Sequence, residues 1–322
     1  IDCRGIHLFD DRKIPVINIV VDHPFYYHKF LPFLPKDYCQ ISIDREHEAY
    51  LQYYFPEIKR GLFLPLAGTS LWEDDTLPKW EERPYAVVFT GNYTPLSKFE
   101  PTIERHGKEY ADFYYGIIED FKKHPHLGMD IGIREHLLSE VEDITEDGVK
   151  EMMPNMIMID LYVRNYFRGK VVQTLVDAGV SVHCFGAGWE FLPCEHPENL
   201  IKEGGVDSLA CLQALSKAKV SLNVMPWFKD GAHDRVFNSM LNGAVCFTDW
   251  SRYLTENLRD GEDIFFYELD ALECLPDMVQ GILENRKKWE HMQKAAYETA
   301  EKSHTWEHRA GAVHKEILSK IR

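Results

Sequence analysis

NVMPWFKDGAHDRVFNSMLNGAVCFTD, running from Asn223 to Asp249, reads as the end of a strand, a polar loop, a short helix, a glycine stop and a second strand. Asp230 and Asn238 stand eight positions apart, with His233 and Arg235 between them. A strand-to-helix turn presents backbone N–H groups at the positive end of a helix, a setting that suits a diphosphate. The stretch therefore points to an enzyme that uses a nucleotide-linked donor, with a nucleotide sugar as first choice.

Working outward, the same alternation recurs on both sides. IPVINIVV (Ile14–Val21) is a continuous β-branched run, expected as a strand buried on both faces and ending at Asp22-His23-Pro24. Further strands are expected near Cys39–Ile43 and Gly61–Gly68, with a helix around Glu46–Tyr54 between them. About 80 residues is short for a doubly wound domain, so more strands are expected before Ile1. WEDDTLPKWEERP (Trp72–Pro84) is the candidate linker.

Ala86–Thr90 starts a second sheet, followed at once by Gly91-Asn92-Tyr93. A mostly helical region follows from Thr102 to Asp177, with one long helix expected over Glu104–Lys123 and another over Asn155–Asp177. Strands at Ser181–Phe185, Val220–Val224, Ala244–Thr248 and Asp263–Tyr267 alternate with helices at Ser208–Ser216, Asp234–Leu241 and Ser251–Asn257. Two terminal helices are expected, near Leu272–Lys302 and Trp306–Ile321. The fold class is α/β: two Rossmann-like domains facing a cleft, the first incomplete as given. The divisions are 1–82, then 83–303 with a helical insertion at 100–178, then a helix at 304–322 crossing back.

Composition narrows the partners. The 322 residues carry 36 basic and 52 acidic side chains, a net charge of −16, which disfavours nucleic acid. Seven scattered cysteines without a CxxC pair fit a reducing compartment, and a cytoplasmic location is expected. No apolar run approaches the ~18 residues of a membrane span. Fifteen histidines include no HExxH motif, so no metal site is expected.

Taken as an ordered series, GxGW (Gly186–Trp189), LNVMP (Leu222–Pro226), DGAHDRVFNSMLNGA (Asp230–Ala244), the Thr248-Asp249 ending, DGEDIFFY (Asp260–Tyr267) and HTWEHR (His304–Arg309) carry a resemblance. Ala86–Arg322 resembles the C-terminal part of GT-B glycosyltransferases, particularly the CgeB/YkvP spore-protein-like group. The resemblance implies transfer of a sugar from a nucleotide diphospho-sugar, UDP- or GDP-linked by preference, to a glycan, lipid or protein hydroxyl. It implies no required cofactor or metal.

Related retaining enzymes often carry two glutamates separated by seven residues, the first binding the sugar and the second the ribose. Asp230 and Asn238 hold those positions here. Asp is a modest change; Asn keeps hydrogen bonding but removes a charge, so the implied retention of configuration is a mild lean. Arg235 is the expected diphosphate cation, and Arg235→Ala is expected to cut turnover with the fold intact. Gly91, Asn92, Gly186, Gly188, Asn223, Met225, Pro226, Gly231 and His233 are expected around the donor, with Trp189 as a candidate cover for the base. Asp22 and His23 are candidates for positioning or deprotonating the acceptor.

Plainer readings stand beside these: a core tryptophan at Trp189, strand-end turns at Gly91-Asn92 and Asp22-His23, a surface arginine at Arg235. Two rival functions also remain: a nucleotide-sugar epimerase of the same architecture, and a non-catalytic sugar-nucleotide-binding protein.

Overall fold

The computed structural model describes residues 3–72 and 77–321. In the first lobe, helix α1 (Cys3–Arg12) leads to strand β1 (Val16–Val20), then β2 (Tyr38–Ser42), helix α2 (Arg45–Tyr54) and β3 (Lys59–Phe63). The three strands are parallel in the order β1-β2-β3. β2 is central and buried along its whole length. β1 lies at an edge, and Ile19 is 38% exposed, so the expectation of a strand covered on both faces does not hold. The unbroken apolar run of Ile14–Val21 signals a strand, but it does not say what covers each face.

β4 (Tyr85–Thr90) opens the second sheet. Five helices follow: α3 (Glu100–Glu104), α4 (Lys108–Lys123), α5 (Met129–Glu140), α6 (Glu146–Met152) and the long α7 (Ile157–Asp177). The single helix expected over Glu104–Lys123 is broken between α3 and α4, where Gly107 adopts φ 97°. The remaining elements are β5 (Val182–Phe185), β6 (Leu200–Gly204), α8 (Ser208–Ser216), β7 (Ala218–Asn223), α9 (Asp234–Leu241), β8 (Val245–Asp249), α10 (Arg252–Asn257), β9 (Phe265–Tyr267), α11 (Leu275–Leu283), α12 (Arg286–Ser303) and α13 (Trp306–Ile321).

Local chemistry sets several of these boundaries. The Asp207 and Ser251 side chains accept the Ala210 and Leu254 amides at the starts of α8 and α10. Asn285 caps α12 by accepting the Lys288 amide, so the stretch expected as one helix over Leu272–Lys302 is two. β6 escaped the sequence reading because LIKEG carries charge on an exposed edge strand and lacks an apolar run.

All six strands of the second sheet are parallel, in the order β6-β5-β4-β7-β8-β9. This is the doubly wound order, and its direction of winding reverses between β4 and β7. Two α/β lobes with parallel sheets therefore flank a cleft. The helical region also reaches the first lobe: Tyr53 Oη donates to Glu146, and Lys150 Nζ donates to the Tyr54 carbonyl. α13 returns to the first lobe, where Arg309 donates to the carbonyls of Pro65 and Leu66. Of the expected linker at 72–84, residues 73–76 lie outside the described residues.

Candidate functional site

The carboxyl ends of β4 and β7 define the crevice of an open α/β sheet. Thr90 ends β4 and Asn223 ends β7. Arg235, in the first turn of α9, spans both: its Nε donates to Thr90 Oγ1 (3.1 Å) and its Nη1 to Asn223 Oδ1 (2.8 Å). Its guanidinium lies 5.2 Å from the Phe89 ring centroid. Arg235 is buried, not a surface arginine. Burial pulls its pKa below the ordinary arginine value.

Asn223 is fixed in turn by donating to Thr248 Oγ1 and by accepting Tyr267 Oη at its carbonyl. Asp249 accepts the Met225 amide, and Pro226 follows at the cleft wall. His233 begins α9, its Nδ1 2.7 Å from Asp234 Oδ1 and 3.2 Å from the Arg235 amide. The tautomer decides which bond forms: a protonated Nδ1 donates to the carboxylate, and a bare one accepts the amide. Burial alone would raise the Asp234 carboxyl, but His233 and Arg235 together bring it down to about 2.

The two glycine loops are stitched to each other. Gly91 N–H donates to the Phe185 carbonyl, and Ala187 N–H donates to Asn92 Oδ1. Gly188 has φ 90°, and a Cβ there would stand 1.9 Å from the Tyr93 oxygen. A Cβ on Gly186 would stand 2.1 Å from the Gly91 oxygen. These glycines are required by the packing of one loop on the other. Trp189 is 1% exposed, donates to the Gly91 carbonyl and packs on Phe89 and Tyr93. It is a core residue and lines neither of the two cleft cavities.

The cleft has two lobes. The larger, about 390 Å³, lies between the first lobe's Asp22, His23, Tyr26 and His47 and the second lobe's Val224–Phe228. The smaller, about 260 Å³, is lined by Thr69, Thr90, Ser208, Cys211, Leu212, Leu215, Arg235 and Asn238. His233, Asp234 and Trp306 line both and mark the passage between them.

Two arginines of α7 also line the larger cavity, and no sequence signal singled them out. Arg164 Nη2 donates to both carboxylate oxygens of buried Asp160 and to Tyr26 Oη. Arg168 donates to the Asn92 carbonyl, while its buried Nε has no hydrogen-bond partner. Burial and the neighbouring Arg235 and Arg164 push Arg168 down to about 9, which leaves it charged at neutral pH. Among the described residues, neither Arg168 nor Arg235 has a carboxylate at ion-pair distance. The cleft thus holds two cations without a carboxylate at ion-pair distance among the described residues, beside a helix start.

Asp22 is exposed at the larger cavity, where its carboxylate accepts Tyr27 Oη at 3.2 Å. His23 is buried, its Nδ1 accepting the Phe25 amide, and burial with the Arg164 charge drops its pKa to about 3. It is therefore neutral with the proton on Nε2, a donor and not a base.

Against known proteins, residues 168–315 match the model of a family described as glycosyl transferase-like. No curated protein matches. The structure of T4 phage BGT in complex with its UDP-glucose substrate aligns at TM-score 0.51 and 13% identity, covering 95% of this chain and 73% of that one. Anabaena HepE in complex with UDP-glucose aligns at TM-score 0.53 and 9% identity, covering 98% and 75%. An S. aureus TarM variant in complex with Fondaparinux, alpha-GlcNAc-glycerol and UDP aligns at TM-score 0.51 and 10% identity, covering 98% and 57%.

The fold is GT-B. At these identities the likeness speaks for architecture, and the chemistry is read from the chain's own residues.

In this GT-B chain, Asp230 stands away from both cavities. It is 2% exposed, and each carboxylate oxygen meets an arginine: Arg45 from the first lobe at 2.9 Å and Arg252 of α10 at 3.0 Å. Its amide donates to Asp44 Oδ2, and its carbonyl accepts the Arg45 amide. Gly231 lies against Ile43 and Asp44, where a Cβ would stand 2.6 Å from the Ile43 oxygen. Asp230-Gly231 is thus a joint between the lobes.

Asn238 lines the smaller cavity and serves a second crossing: its Oδ1 accepts the Thr69 amide, and its Nδ2 donates to Asp234. An amide suits this place because it donates and accepts at once. One further polar group, exposed His126, Glu268 and Asp270, has metal-ligand spacing but lies at a separate surface. No described helix is long and apolar enough to cross a membrane.

Proposed function

We propose that the protein is a glycosyltransferase that moves a sugar from a nucleotide diphospho-sugar to a hydroxyl acceptor without a required metal. The observation that carries this reading is the pair Arg168 and Arg235, two cleft cations with no carboxylate at ion-pair distance among the described residues, one of them bridging both central strand ends. In the proposed complex the nucleoside occupies the smaller cavity with its ribose beside Asn238. The diphosphate crosses the passage at His233, and the sugar meets the acceptor in the larger cavity. Arg235 and Arg168 balance the charge that builds on the departing diphosphate, the kind of preorganised electrostatic help that dominates many enzymes. The family match over 168–315 and the GT-B fold support the reading, and UDP- or GDP-sugars are the first donors to test. The finer likeness to the CgeB/YkvP group is part of this proposal.

For the acceptor, Asp22 is the base we propose, because His23 has its Nδ1 occupied by an amide donor. The mild lean towards retention rested on the likeness of positions 230 and 238 to the paired acids of related enzymes, with Asn238 already a departure. With Asp230 held by two arginines outside both cavities, a carboxylate base at Asp22 favours inversion instead. Incubation with UDP-, GDP-, ADP- and dTDP-sugars, followed by mass spectrometry and product-anomer NMR, tests the whole reading. Released nucleoside diphosphate or a transfer product of inverted configuration is the expected result. An isomerised donor without release would indicate an epimerase, and binding without turnover a non-catalytic protein.

A further inference from the structure

Trp189 is the tryptophan that the sequence offered as a cover for a nucleobase, and it is sealed in the core with its indole N–H bound to Gly91. The smaller cavity nevertheless has an indole. Trp306, the first residue of α13, lines it and is 44% exposed. The wall of that cavity is mixed: Leu212, Leu215 and the Cys211 thiol give it an apolar part, beside polar groups that include Asp234, Arg235 and Asn238. Apart from the small imidazole of His233, Trp306 is the one ring among the described residues that lines it. The backbone beside this indole is tied down: Gly68 N–H donates to the His304 carbonyl, and His304 stacks on Phe237 of α9 at 4.3 Å. A large exposed ring on a fixed backbone, lining one cavity with Leu212 and Leu215, is an arrangement suited to hold a flat heterocycle.

We infer that Trp306 is the stacking platform for the base of the bound nucleotide, and so a residue that sets affinity on the nucleoside side of the cleft. This rests on the proposed use of a nucleotide-linked donor. It adds that the nucleoside is held by the returning C-terminal helix as well as by the second sheet. Trp306 also borders the larger cavity, so the platform stands beside the passage that the diphosphate crosses.

The test is calorimetric titration of UDP, GDP, ADP and dTDP, and of the matching nucleosides, into the wild type, Trp306→Phe and Trp306→Ala proteins. Melting temperatures are recorded alongside. Loss of a base-stacking ring weakens binding roughly 5- to 150-fold. Trp306→Ala is therefore expected to lose about tenfold or more for the diphosphate and its nucleoside alike, at an unchanged melting temperature. Trp306→Phe is expected to recover most of that affinity. If wild type binds a nucleoside diphosphate and Trp306→Ala binds it equally well, the platform is refuted while the transferase reading stands. Equal losses in the Phe and Ala variants would refute it too, since the ring would not matter. If wild type binds none of the four, the donor reading falls and takes this inference with it.

Discussion

Replacing Arg235 with alanine separates the structural from the catalytic work of one side chain. The change removes the Nε bond to Thr90 Oγ1 and the Nη1 bond to Asn223 Oδ1, together with the contact over Phe89. Bonds from a charged donor contribute about 1.5–3 kcal/mol each. Burial of the cation opposes them, as its lowered pKa shows, and that cost is returned on substitution. The Thr90 hydroxyl can rotate to a new partner, but Asn223 Oδ1 is left unpaired in a fully buried strand end. A net loss of about 2–4 kcal/mol follows, larger than a surface arginine would give. At roughly 2–4 °C per kcal/mol for a chain of this scale, the melting temperature should fall about 4–16 °C. Calorimetry with a nucleoside diphosphate should show, in addition, a loss of roughly tenfold or more from one missing charge-assisted contact. Arg235→Lys keeps the charge but not the fork, and should recover more of the affinity than of the stability. A melting temperature within about 1 °C of wild type, with unchanged diphosphate affinity, would refute both parts of the argument.

Other consequences can be checked as directly. Asp22→Asn should abolish most turnover while leaving the Kd for the nucleoside diphosphate as in wild type; matched kinetics and calorimetry decide. Asp44 and Asp249 are buried carboxyls that burial raises from near 3.8 to about 7. A folded-state pKa above the unfolded value stabilises fully below about 4, and that stability is lost as pH rises through about 7. Urea midpoints should therefore fall between about pH 4 and 7, and Asp249→Asn should flatten the slope; an equal slope in the variant would contradict it. Gly188→Ala forces a Cβ onto the Tyr93 carbonyl at a left-handed φ and should cost at least ~2 kcal/mol in the same urea assay.

Much of the architecture was legible because it is local. The apolar runs at Cys39–Ile43 and Ala86–Thr90 became β2 and β4, and the helix expected over Asp234–Leu241 is α9 with those bounds. Asp207 caps α8 as its short polar side chain before an apolar run suggests. The edge strand β6 was not legible, since an edge strand with one wet face carries no apolar run. Nor were Arg164 and Arg168, which in sequence are two charges on a long helix and gain meaning only from what α7 faces.

By itself the sequence determined that two sets of alternating strands and helices form and where α9 begins after its polar loop, because hydrophobic period, caps and turn residues act over a few positions. Only the tertiary structure decided what the polar side chains near α9 do. Asp230 is drawn away from the cavities by Arg45, 185 positions earlier in the chain, and Arg235 is drawn in by Thr90 and Asn223. Ion pairing and burial depend on distance in space, and no spacing along the chain records which lobe a carboxylate will meet.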